Sequence, residues 1–155
     1  MYDISVYDTI ENMKTETKTT LIQNIFRILL AFFMIYAGLS HLTFNRVAFQ
    51  AQVPDWLPLS KDLIVILSGI VEIVLGLGLA FWKKQRVRFG WALAIFFVLI
   101  FPGNVAQYIN GTDAFGVLNS DRARLGRLFF QPVLISWALW SSGAWKKWMN
   151  SENFK

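Results

Sequence analysis

Four long apolar runs, each bounded by charged or helix-breaking residues, constrain this chain more than any other feature. They lie at about Leu21 to Ser40, Asp62 to Trp82, Val87 to Ile109 and Arg124 to Trp145. A membrane-spanning helix needs about 20 mostly apolar residues, because a rise of ~1.5 Å per residue must cross roughly 30 Å of hydrocarbon. The four runs meet that length. They are about twice as long as a membrane β-strand needs, and they lack its strict alternation. The expected fold is therefore an all-α membrane protein, a four-transmembrane-helix bundle. Residues 1–20 are expected to be a mobile cytoplasmic tail, residues 21–148 the helical domain, and residues 149–155 a second cytoplasmic tail.

Composition matters here for where the charge sits. The net charge of +5 in 155 residues would raise the question of nucleic acid in a soluble protein. Most Lys and Arg, however, flank the apolar runs, where they act as topology signals, so the bilayer and not nucleic acid is the expected partner. Lys14, Lys18, Arg27, the cluster from Lys83 to Arg88, and Lys146, Lys147 and Lys155 fall on one side, against Arg46, Lys61, Arg122, Arg124 and Arg127 on the other. The excess places both termini in the cytoplasm. Trp82, Trp91, Trp145 and Trp148 fall at the same boundary, where an indole keeps its ring in lipid and its N–H in water. The acidic start, with Asp3, Asp8 and Glu11, is unlike the basic start of a signal peptide.

The loops carry local signals. Phe44, Val47, Ala48 and Ala51 recur at helical spacing before the Pro54 to Pro58 turn, which predicts a short interfacial helix in the first outer loop. Ser60 and Ser120, each followed within two residues by an Asp, are expected N-caps. Phe101-Pro102-Gly103-Asn104 is expected to interrupt the third span with a kink that frees carbonyls and the Asn104 amide.

Polar residues within the apolar runs are the candidate site. Glu72 lies near the middle of its span, roughly 15 Å deep by helix rise, and cannot face lipid as a bare anion. Gly69, Glu72 and Gly76 share a face, the glycines letting another helix approach closely. Arg27 is the expected ion-pair partner of Glu72, with Arg127 the alternative from the other side and headgroup snorkelling a competing fate for Arg27. Toward the outer side, His41, Asn104, Gln107, Arg124, Arg127 and Gln131 come within about two helical turns of the interface. Of these, His41, Asn104, Arg124, Arg127 and Gln131 join Glu72 as the candidate ligand-binding set. Guanidinium forks suit carboxylate, phosphate or sulfur oxyanions, and His41 adds a titratable donor. Anchoring to lipid phosphate competes with that reading. With no Cys and a single His, thiolate catalysis, iron–sulfur clusters, bis-His haem and the common zinc sites are excluded within one protomer.

Tyr36-Ala-Gly-Leu-Ser-His41, Ser68-Gly-Ile-Val-Glu72 continuing to Gly76, Phe101-Pro-Gly-Asn104 and Arg127-Leu-Phe-Phe-Gln-Pro132 together resemble the DoxX-like membrane proteins, over about Arg27 to Trp140. The resemblance implies a small four-helix protein of the bacterial plasma membrane. Some relatives are associated with thiosulfate oxidation and quinone reduction, others with redox or stress-response partner proteins, and quinone is the one cofactor implied. Three functions follow as expectations. The first is a non-catalytic membrane component binding a small ligand or partner at an outer-side polar pocket. The second is a subunit of a quinone-linked oxidoreductase, with Glu72 handling protons. The third is a small-solute transporter or channel, which with so thin a wall calls for an oligomer.

Overall fold

A computed structural model describes the backbone of residues 18–152 and the side chains of residues 18–150. Most of the expected N-terminal tail, residues 1–17, lies outside them. The described residues contain helices and loops and no strand: α1 (Leu21–Leu42), α2 (Arg46–Gln50), α3 (Lys61–Phe81), α4 (Arg86–Ile109), α5 (Asp121–Ser142) and α6 (Ala144–Glu152).

Three of the four long helices begin where the sequence supplies a side-chain cap, while α4 follows a 3-10 turn without one. Thr20 accepts from the Gln23 amide at 3.2 Å while the Gln23 side chain accepts from the Thr20 N–H at 2.9 Å, a reciprocal capping box. Ser60 caps α3 through the Leu63 N–H, and Ser120 caps α5 through the Ala123 N–H, each at 3.3 Å. Gly143, at φ 78°, ends α5 in the left-handed conformation that glycine adopts without a Cβ penalty. The turn there starts α6, which carries helical backbone through residue 152 where a tail was expected from residue 149.

Pro102 does not interrupt α4. The helix runs from Arg86 to Ile109 with Pro102 inside it. One missing N–H costs the helix a single ladder bond, to Val98, and the flanking bonds hold the segment together.

Among the described residues three helices are long and apolar enough to cross a membrane: α1, α3, and α4 with the 3-10 turn that precedes it. α5 equals α1 in length, at 22 residues, but its first two turns hold Asp121, Arg122, Arg124 and Arg127, and Gln131, Ser141 and Ser142 lower its hydropathy further. Gln131, Ser141 and Ser142 are buried, so much of that polarity faces protein. The outward residues of all four are large and apolar. Leu99 and Phe129 are each 71% exposed and Phe32 64%, a surface that suits hydrocarbon and would aggregate in water.

The helices pack as two close pairs, α1 with α3 and α4 with α5. In the first pair a Cβ on Gly38 would stand 2.5 Å from the Gly69 carbonyl oxygen, and one on Gly76 would stand 2.9 Å from that of Ala31. The glycines thus bring two backbones into direct contact, as their shared face predicts. Buried residues on α1 recur at Arg27, Ala31, Met34, Gly38 and His41, the period of a helix with one protein-facing stripe. An apolar cluster of Leu30, Met34, Leu79, Leu93, Phe97 and Ala138 joins the pairs toward the Lys83 end. Toward the other end the pairs separate around a cavity.

Candidate ligand-binding site

The cavity has a volume of about 700 Å³ and lies among α1, α3, α4 and α5 beneath the first and last connecting loops. Its wall is mainly apolar. His41, Glu72, Asn104, Arg127 and Gln131 all line it, each projected from a different turn of the four long helices.

His41 and Glu72 form a buried polar pair in it, 8% and 5% exposed. His41 Nδ1 lies 2.9 Å from Ser68 Oγ and 3.5 Å from Glu72 Oε2. Ser68 donates its one hydroxyl proton to the Val65 carbonyl at 2.9 Å, so its oxygen acts as acceptor and His41 Nδ1 as donor. This fixes the imidazole tautomer. The His41 ring also packs against Phe49, with centroids 3.5 Å apart. Glu72 Oε2 is buried and makes no hydrogen bond.

Arg127 reaches into the cavity from α5, within electrostatic range of both Glu72 and His41. One of its nitrogens, Nη2, donates to Gln52 Oε1 at 2.6 Å. The amide nitrogen of Gln52 is left buried without a partner. Asn104 and Gln131 form a separate chain on the α4–α5 side. Asn104 Nδ2 donates to Gln131 Oε1 at 3.0 Å, and Gln131 Nε2 donates to the Phe97 carbonyl at 2.6 Å. The carbonyl used is therefore the neighbour of the Val98 carbonyl that Pro102 leaves without its helical donor.

Two expected placements are corrected. The Arg27–Glu72 ion pair does not form: Arg27 donates to the Leu79 and Ala80 carbonyls and lines a second cavity of about 530 Å³ with Lys83 and Arg86. Cα–Cβ bonds tilt toward a helix's N-terminus. Since α1 and α3 are antiparallel, that tilt carries Arg27 toward the Lys83 end and Glu72 toward the His41 end. Arg124 is likewise not a cavity residue. It donates to Asp121 Oδ1 at 2.7 Å and to the Leu118 carbonyl at 2.9 Å, and so ties the last loop to α5. Gln107 is buried and donates to the Thr112 carbonyl at 3.2 Å, serving the same loop.

Sequence reasoning passed over Ser68 and Gln52. Ser68 lies four residues before Glu72 on the same helical face, a spacing that could have flagged it. Gln52 lies in a loop, where no periodicity reports which way a side chain points. The loop comes to the cavity because α2 is anchored: Arg46 grips the Asp62 carboxylate with two donors, Nε at 2.7 Å, and Gln50 adds a bond at 3.0 Å. That carboxylate holds the Arg46 guanidinium above its ordinary pKa. Beyond α2 the chain folds over α4, where a Cβ on Gly103 would meet the Gln52 carbonyl oxygen at 2.5 Å. From the other loop, Phe115 takes the strained φ of 62° and sets its ring edge-on to Phe49, centroids 4.7 Å apart.

Fold and site together define an all-helical protein with membrane-capable helices and a loop-covered polar-based cavity. The chain belongs to the family described as Domain of unknown function (DUF8561), whose match covers residues 30–142 and thereby all four long helices in whole or large part. No curated protein and no solved structure matches it.

Proposed function

We propose that this protein crosses the bacterial plasma membrane four times, with both termini cytoplasmic, and that it is a DoxX-like membrane component that binds a small ligand in the cavity on the outer side without catalysing its conversion. The carrying observation is the cavity itself, about 700 Å³ and furnished with polar side chains from four helices. That volume lies well within the roughly 300–1,000 Å³ of small-molecule sites, which are typically apolar with a few placed polar groups. A buried carboxylate oxygen without a hydrogen bond adds to this, since buried polar atoms are normally satisfied.

Several features support the four-pass scheme. α5 has the length of a span and turns several of its polar residues inward, while the basic cluster Lys83 to Arg88 and the partly exposed Trp82, Trp91 and Trp145 gather at the end away from the cavity. α2 exposes Val47 and the adjoining Phe44, as an interfacial helix would.

The binding reading is tested by thermal shifts of the purified protein with a panel of quinones, fatty acids, oxyanions and neutral lipids. At least one class is expected to raise the melting temperature, and Ser68→Phe, which fills the cavity floor, is expected to abolish that rise. No shift with any compound, together with an unchanged profile for Arg127→Ala, contradicts it.

A second reading, a quinone-linked oxidoreductase subunit, draws support from the 3.5 Å approach of His41 to Glu72, a pair chemically able to exchange a proton. Thiosulfate-dependent quinone reduction in membranes carrying the protein, absent in a deletion strain, is its test, and equal rates in both end it. The packed layer of Leu30, Leu79, Leu93 and Ala138 stands between the cavity and the Lys83 end, which weighs against a solute path within one copy.

A further inference from the structure

The unsatisfied groups and the shape of the cavity narrow the ligand. Resting on the binding reading above, we infer that the ligand is a neutral single-chain amphiphile with a hydroxylated head, entering from the bilayer between α1 and α5.

The wall gives the route. Phe33, Tyr36 and Phe130 line the cavity and yet are 54%, 54% and 52% exposed, so the cavity reaches the lipid-facing surface between α1 and α5. Near the Lys83 end the same two helices are joined: Trp137 Nε1 donates to the Phe26 carbonyl at 3.0 Å, Gln23 Nε2 donates to that of Trp140 at 2.8 Å, and Phe26 packs edge-on to both tryptophans. They are thus fastened at one end and admit a chain at the other. From the loop side the cavity is covered by Phe49, Gln52, Val53 and Pro54 against α4, with Val53 only 8% exposed. An apolar chain lying through the lateral opening stays in hydrocarbon throughout.

The polar atoms give the head. Gln52 Nε2 in the loop cover is a buried donor and Glu72 Oε2 in the floor a buried carboxyl oxygen; neither makes a hydrogen bond, both belong to cavity residues, and His41 Nδ1 stands 3.5 Å from the latter. A hydroxyl accepts from the first kind of group and donates to the second. Charge makes the choice between hydroxylated and ionic heads. A neutral head brings no charge into the mainly apolar enclosure, whereas a carboxylate or an ammonium would have to be desolvated there.

Full-length protein in mild detergent, titrated in native mass spectrometry with 1-monooleoylglycerol, oleate, oleylamine and glycerol, tests this. Monooleoylglycerol is expected to bind at least about tenfold more tightly than oleate or oleylamine, and glycerol alone is not retained. Gln52→Ala is expected to weaken the monooleoylglycerol complex about tenfold, the loss of one well-placed hydrogen bond. Ala37→Trp, at the lateral opening, is expected to weaken it at least as much without touching the head. Tighter binding of oleate or oleylamine overturns the inference, as does undiminished binding by both variants when their melting temperatures match the parent. If no single-chain probe binds but an oxyanion or a quinone does, the inference falls and the binding reading stands. If nothing binds, both fall.

Discussion

At the residue scale the site centres on Glu72 and the groups that face it. A carboxyl group this deep has polar company: His41 Nδ1 lies 3.5 Å away, Ser68 Oγ holds that imidazole at 2.9 Å, and Arg127 is within electrostatic range. Removing one partner should therefore hurt more than removing both. Arg127→Met is expected to destabilise the protein by about 1–3 kcal/mol, through loss of the charged hydrogen bond to Gln52 and of the positive charge within range of Glu72. Glu72→Gln in the same chain should recover a good part of that loss. Unfolding titrations of the two single variants and the double variant check this, and strict additivity would show that the residues do not interact. The sequence made Glu72 and His41 legible because each falls on a helical stripe with glycine or small neighbours. It misassigned Arg27 because depth alone ignores the tilt of side chains toward the helix N-terminus, which separates residues of similar depth on antiparallel helices. Arg124 was misplaced for a related reason: the loop that claims it, around Leu118, has no period to read.

At the element scale the α1–α3 pair is the rigid half of the bundle. Gly38, Gly69 and Gly76 have backbone or side-chain atoms of the facing helix within 3 Å of where a Cβ would lie, so any side chain there forces the helices apart. Gly38→Val is expected to cost about 1–3 kcal/mol by overpacking and to lower the melting temperature in detergent. Gly126, in the exposed face of α5, has no neighbouring atom within 4 Å of its Cβ position. Gly126→Ala should be neutral or stabilise by up to about 1 kcal/mol through helix propensity. If the two variants melt alike, the close approach of α1 and α3 is not a source of stability. Ser120→Ala, which removes the side-chain cap of α5, is expected to cost about 1 kcal/mol. Helix bounds were readable to within a few residues because caps and apolar runs agree. The expected break at Pro102 was not realised, since proline removes one donor and the neighbouring ladder bonds carry the helix through.

At the scale of the whole molecule, an apolar exterior surrounds a cavity with a polar floor, and the loops that cover that cavity lie opposite the basic cluster. Periodicity and charge foretold the helices and their faces. The cavity was only partly foretold, because it exists where two helix pairs diverge and where Gln52 and Phe115 fold in from loops. Ligand entry from the bilayer requires that hydrocarbon solvate the outer surface and that the two ends lie on opposite sides of the membrane. The chain has no cysteine, so single cysteines report without background. Trp56→Cys lies in the first connecting loop and Lys84→Cys in the turn between α3 and α4. With a membrane-impermeant maleimide on intact cells, Trp56→Cys should label readily and Lys84→Cys only after permeabilisation. Equal labelling of the two in intact cells, or recovery of the protein in the soluble fraction without detergent, would contradict the account.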